Sequence, residues 1–220
     1  MKYFNLLEQK NINRDIDARA KNKKINIKLA RKFGFEYFDG TRDQGYGGYK
    51  YDGRWKKISK RAKVRYNLNQ KSRILDVGCA KGYFVKDLSD LLNNKKIFGV
   101  DISEYAIKNC HNDVVGLLHQ CDARKLPFPN NSFDAIFSIN TIHNFDKIGC
   151  IDAIKEMQRV CKNKTKIFIQ VDAYESKEDL DLFKKWVLTA KTCLKPNEWK
   201  KIFNDLNYKG DYFWTILKKN

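Results

Sequence analysis

Histidine is scarce in this 220-residue chain, with only three, at positions 111, 119 and 143. That is too few for a transition-metal centre built from imidazoles. The six cysteines, at 79, 110, 121, 150, 161 and 193, include no Cys-x-x-Cys pair. Their spacing suits reduced, small core residues better than a disulfide frame or a zinc site, and only an oxygen-ligated magnesium is left open. No apolar run approaches the roughly 18 residues that a membrane span requires. Residues 1–10 lack the apolar stretch of a secretory signal. The expectation is a soluble, cytoplasmic protein, with its oligomeric state unspecified. Acidic residues are also under-represented, 26 against 44 Lys and Arg, for a formal charge of +18. The lysines run from residues 21–24 to the C-terminus. Such a surface is either simply solvated or directed at nucleic acid, anionic lipid or a phosphorylated small molecule.

What is present reads as one domain with an N-terminal extension, divided at residues 1–67 and 68–220. Residues 12–33 suggest a basic, partly amphipathic helix with Ile16, Ile25, Leu29 and Phe33 inward. Residues 37–55, YFDGTRDQGYGGYKYDGRW, combine five glycines with six aromatic side chains. They are too polar and glycine-rich for a regular element and read as a structured lid. Strands are expected at 72–77, 97–100, 114–118, 133–139, 165–171 and 212–217. The intervening helices centre on 82–92, 103–107, 148–162, 177–187 and the Pro196 segment. This alternation predicts an α/β fold, a mostly parallel Rossmann-like sheet with helices on both faces.

An open parallel sheet binds ligands beyond the C-terminal ends of its strands. The unusual polar residues fall there: Asp76 and Gly78, then Asp101, Asp122, Asn140 and Asp172. The run at residues 74–84, ILDVGCAKGYF, departs from a dinucleotide turn, because Tyr83 stands where a third glycine belongs. It suits a zwitterionic amino-acid tail beside a sulfonium. Asp76 can hold the amino group while the turn, with Cys79, Ala80 and Gly82, exposes backbone donors. Asp101 can accept both ribose hydroxyls, Ile102 can lie on the adenine face, and Asp122 with the Ala123 backbone can meet the adenine edge. Ala80 is tolerable in such a turn if its φ is negative, and Lys81 is expected to snorkel outward from the sulfonium.

These residues, with CDARKLPFPNNSFDAIFSI at 121–139, resemble the class I S-adenosylmethionine-dependent methyltransferases. The resemblance covers residues 72–171 well and 195–217 loosely. It implies the sulfonium cofactor and an antiparallel final strand. Only one clear strand follows Pro196, so the far edge is either shortened or completed by residues 186–193. Methyl transfer is an in-line displacement, needing alignment and, for a hydroxyl, a base. His143 is the leading base candidate, with Asp172 as a second proton acceptor and a helix-capping or lid-holding role as the alternative for the histidine. Tyr46, Tyr49 and Tyr51 are candidate lid residues over the acceptor, with Arg42 and Arg54 for an anionic group and Tyr174, Trp186 and Thr189 along the same wall. After strand four the chain has Asn140-Thr141-Ile142-His143, without the prolines that mark exocyclic-amine methylases of nucleobases. A small-molecule acceptor is therefore favoured, possibly anionic, with a sugar or metabolite hydroxyl preferred. An RNA methyltransferase, predicting a positive stripe to the mouth of the site, and a catalytically silent cofactor-fold protein are the alternatives.

Overall fold

The structure, a computed structural model, describes residues 1–8 and 16–218. Among these, seven strands form one sheet in the order β1-β7-β6-β5-β2-β3-β4. They are β1 (Lys2–Tyr3), β2 (Ile74–Val77), β3 (Ile97–Asp101), β4 (Leu118–Gln120), β5 (Ala135–Ile139), β6 (Ile167–Ala173) and β7 (Asp211–Ile216). β2 and β6 are buried along their whole length, as mostly apolar strands are when helices cover both faces, with Asp76, Gln170 and Asp172 as their buried polar residues.

The helices start where the sequence supplies a cap. α5 (Tyr83–Leu92) follows Gly82 directly, and α6 (Glu104–Lys108) is capped by the Ser103 hydroxyl, which accepts from the Ala106 N–H at 2.9 Å. Asp146 caps α7 (Lys147–Val160) through the Gly149 N–H at 2.8 Å. Ser176 and Asp179 form a capping box on α8 (Lys177–Trp186), and Pro196 is the first residue of α9 (Pro196–Asp205). One core lies between the sheet and α7 and α9, around Ile154, Met157, Trp199 and Phe203. The other joins Phe84 and Leu88 of α5 to Ile58 and Ala62 of α4 (Trp55–Tyr66) and to Leu6 and Leu7. The N-terminal 67 residues thus share their apolar contacts with the rest of the chain.

Three expectations need correction. The final strand is not antiparallel: β7 runs parallel to β6, and β1 runs parallel to β7. The α8–α9 connection is the long crossover that a parallel neighbour requires, and the N-terminus, not residues 186–193, supplies the outer strand. Residues 186–193 form no strand; next to them Leu194 makes an isolated bridge to Ala173. The expected helix over 12–33 starts outside the described residues and is otherwise two pieces, α1 (Ile16–Ala20) and α2 (Lys23–Ala30), broken at left-handed Asn22. The break rotates the second piece, so Asn26 and Ala30 are buried while Ile25 is 60% exposed. Finally, residues 112–114 form a short 3-10 turn, and the strand expected at 114–118 begins at Leu118.

Candidate active site

The turn after β2 is shaped by steric necessity. A Cβ on Gly78, at φ 84°, would lie 2.0 Å from the Thr141 hydroxyl oxygen. One on Gly82, at φ 77°, would lie 2.6 Å from Leu118, so this glycine lets α5 approach the sheet. Ala80 has φ 49°, contrary to the negative value its methyl group suggested. Its N–H donates to Asp101 Oδ2 at 2.8 Å, and its side chain packs in a cluster with Phe38 and Ala106. That bond and packing hold a conformation costing about 1–2 kcal/mol for a residue with a Cβ.

Lys81 does not snorkel outward. Its ammonium is buried and donates to both Asp39 carboxylate oxygens, at 2.8 and 2.6 Å. Tyr105 Oη also donates to Asp39 at 2.6 Å, and the Tyr49 N–H does so at 3.2 Å. Burial alone would raise the Asp39 carboxyl, but Lys81 and Tyr105 hold it below the usual range. The cation is thereby tied to the segment that follows α3 (Phe35–Phe38), away from the sheet ends.

A cavity of about 270 Å³ opens beyond the C-terminal ends of β2, β3 and β5, near the lower bound (about 300 Å³) for small-ligand sites. Gly78, Ala80, Asp101, Ile102, Asp122, Ala123 and Asn140 line it, as the sequence suggested. Ile102 is 46% exposed there, an apolar face left for a ring to cover. Asp101 is fixed by N–H donors from Ala80 and Ser103, the latter at 2.9 Å, while burial raises its pKa. Asp76 lies beneath the cavity, not on its wall; burial, then the like charge of Asp101, push its carboxyl up to about 8. Both Asp122 oxygens accept from Arg124, the shortest contact being 2.6 Å. The Cys79 thiol points toward Gly99 in the core, and burial pushes its pKa well up.

The roof comes from Phe33, Tyr37, Phe38 and Tyr46, with Thr189 on the far wall. Gly45 is essential to that roof, since a Cβ there would sit 1.9 Å from the Tyr37 carbonyl oxygen. Of the three expected lid tyrosines only Tyr46 reaches the cavity. Tyr49 and Tyr51 line a separate open hollow with Asp39, Lys81 and Tyr83, and the Tyr51 hydroxyl donates to buried Asp87 at 2.5 Å. Arg42 is spent on the Gly45 and Tyr46 carbonyls and lies over Trp186, while Arg54 pairs with Asp52. Trp186 also covers Arg19, whose guanidinium sits 4.2 Å from the ring centre. Neither these nor Tyr174 line the cavity.

His143 is likewise outside it. The ring is buried, and its Nδ1 accepts from the Asp172 N–H at 2.9 Å. Its Nε2 lies 3.5 Å from Asp172 Oδ2, and its carbonyl accepts from Lys191 and Thr192 N–H groups at 3.0 Å. Burial lowers its pKa against the opposing Asp172 charge. The pair ties the end of β6 to the 189–192 segment. Among the cavity residues that sequence reasoning missed are Arg31, Phe33, Tyr37, Phe38, Asn144 and Lys191. Their signal was position: all but Lys191 lie in or beside the lid or immediately after β5.

Residues 75–169 match the family model described as "Methyltransferase domain". The chain is 30% identical over 138 residues to cycloartenol-C-24-methyltransferase of Arabidopsis thaliana, covering 54% of this chain and 40% of that protein. It is 36% identical over 107 residues to probable tRNA methyltransferase 9B of Mus musculus, covering 48% and 23%. The matches thus span less than half of either relative's length. A solved complex of the Haloferax volcanii Trm112 methyltransferase activator with a methyltransferase aligns at a TM-score of 0.55 and 18% identity, over 89% of this chain and 76% of that one. That likeness is one of fold. With this sheet and this turn, the chain has the class I S-adenosylmethionine-dependent methyltransferase fold, with the matched methyltransferase domain at residues 75–169.

The cofactor of that family fits the residues present. Two carboxyls, buried Asp76 and partly buried Asp101, are raised and have no cationic side chain bonded to them among the described residues, while the turn's own cation is held by Asp39. A ligand carrying an ammonium and a sulfonium supplies the missing positive charge. Among the described residues, no group of three His, Cys, Asp or Glu is placed to hold a metal, and no helix is long and apolar enough to cross a membrane.

Proposed function

We propose that the chain transfers a methyl group from S-adenosylmethionine to RNA. The observation that carries this reading is the basic mouth of the cavity, where Arg31, Arg124 and Lys191 all line the opening. Lys23 joins the two elements leading there, its ammonium donating to the Lys185 and Val187 carbonyls at 2.7 Å. From that junction α2 carries exposed Lys24 and Lys28 toward Arg31, and the end of α8 carries exposed Lys184 and Lys185 toward Lys191. A phosphate backbone is the polyanion such a surface suits, and the tRNA methyltransferase relative supports the same acceptor.

When bound, the cofactor supplies an electrophilic methyl group on sulfur. The chain's part is to hold the cofactor on Asp101 and the turn, and to exclude water with Phe33, Phe38 and Tyr46. Removing a proton from a hydroxyl is not a task for which the cavity is equipped. Asp122 is bound by Arg124, burial pushes the Tyr37 and Cys121 groups upward, and His143 lies outside. The acceptor atom is accordingly one with a free lone pair, a ring nitrogen, amine or carboxylate, and not a sugar hydroxyl.

The test is methyl transfer from tritiated adenosylmethionine to unfractionated tRNA, with and without ribonuclease. Incorporation that ribonuclease abolishes, and that falls steeply with added salt, is the expected result. Label appearing only in a small-metabolite extract would replace RNA with the second reading, a free metabolite, which the roofed cavity of about 270 Å³ favours.

A further inference from the structure

Gln170 is 1% exposed in the middle of β6, among Phe168, Ile169 and Val171. Its Nε2 donates to Thr215 Oγ1 at 2.9 Å, and its Oε1 is buried without a partner. Thr215 Oγ1 donates in turn to Asn140 Oδ1 at 3.1 Å. A purely structural position in this sheet would be filled by an apolar side chain, since a buried unpaired oxygen is costly. The arrangement instead ends at the cavity, which Asn140 lines.

Asn140 is itself tightly placed. Its φ of 54° lies in the left-handed region, and its N–H donates to the Gln170 carbonyl at 2.9 Å. With Oδ1 taken by Thr215, the carboxamide cannot flip without losing that bond. Its amide nitrogen, which bonds no described residue, is the end left to meet a ligand.

We propose that Gln170 and Thr215 are positioning residues that orient the Asn140 carboxamide so that its NH2 group donates to the methyl acceptor. The acceptor must then present a lone-pair oxygen or nitrogen beside the reacting atom, as the edge of a nucleobase does. This deepens the methyl-transfer reading and rests on it for the identity of the acceptor.

The test compares Thr215→Val, which keeps the shape and removes the hydroxyl, with Thr215→Ser, which keeps the hydroxyl. With tritiated adenosylmethionine and unfractionated tRNA, Thr215→Val should slow transfer about 10-fold or more at saturating cofactor. Adenosylhomocysteine affinity should stay within about 2-fold, and Thr215→Ser should restore most of the rate. In an Asn140→Ala background, Thr215→Val should cost nothing further. A parallel fall in cofactor affinity, or additive losses in the double variant, would overturn the proposal. If the wild-type chain methylates no tRNA, the acceptor reading fails alone, and the relay is decided by the Asn140 side-chain amide signals in ¹⁵N spectra of the adenosylhomocysteine complex. Those signals should match between wild type and Thr215→Ser and move in Thr215→Val; unmoved signals in Thr215→Val overturn it.

Discussion

Two residues at the end of β2 carry opposite lessons about substitution. Ala80 sits at φ 49° with a methyl group. Ala80→Gly should therefore change stability by less than about 1 kcal/mol, because relief of the left-handed strain offsets the greater freedom of the unfolded chain. Ala80→Val should cost about 2 kcal/mol or more, since a β-branched side chain tolerates that φ least. Urea midpoints measure both, and equal effects of Gly and Val would refute the strain argument. Asp76 responds to pH. Its folded pKa of about 8 lies above the unfolded value, so its contribution to stability is complete at low pH and is lost as pH rises through about 8. At pH 7 the ligand-free carboxyl holds its proton, and an incoming ammonium returns it to the charged form. Cofactor binding at pH 7 should then release close to one proton, read from calorimetry in buffers of different ionisation enthalpy. No buffer dependence would contradict the assignment.

At the scale of elements, β2, β3, β5, β6 and β7 were legible in the sequence to within about two residues, because mostly apolar runs such as residues 74–77 and 167–171 mark buried strands, whereas β4 began only at the last residue of its expected range and β1 has no such run. That Asp101, Ile102, Asp122 and Asn140 share one cavity was also legible, since strand ends in a parallel sheet lie along one edge. The lid was not. Five glycines and six aromatic side chains announced a structured loop without saying which rings face which cavity. Tyr46 lines the cavity with its N–H on the Tyr37 carbonyl at 2.8 Å, while Tyr49, with its N–H on the Phe38 carbonyl at 2.8 Å, lines the other hollow. Long-range pairing was equally hidden: nothing local in Lys81 announces Asp39, 42 residues away. That pair latches the lid to the cofactor turn. Lys81→Met should speed amide exchange over residues 35–49 about 10-fold or more while leaving β5 and β6 protected. Unchanged exchange would show that the tyrosine contacts alone hold the lid.

On the scale of the whole molecule, the N-terminus is built into the fold it precedes. β1 supplies the outer strand beside β7, and Leu6 is fully buried with Ile58 and Ala62. Leu6→Ala should lower stability by about 2–5 kcal/mol in one cooperative transition; a separate early transition would show that the extension folds independently. Charge is distributed on this scale too. The whole chain carries a formal charge of +18, yet Asp101 and Asp122 line the cavity and Asp76 is buried beneath it, so the acidic groups are gathered at the sheet ends of a basic molecule.

The most direct measurement of that arrangement is calorimetric titration of S-adenosylmethionine into the wild-type chain and into Asp101→Ala. Binding by the wild type, weakened about 10-fold or more by Asp101→Ala, is the predicted result. Equal affinity of the two, or no binding by a folded wild-type chain, would contradict the placement of the cofactor in this cavity.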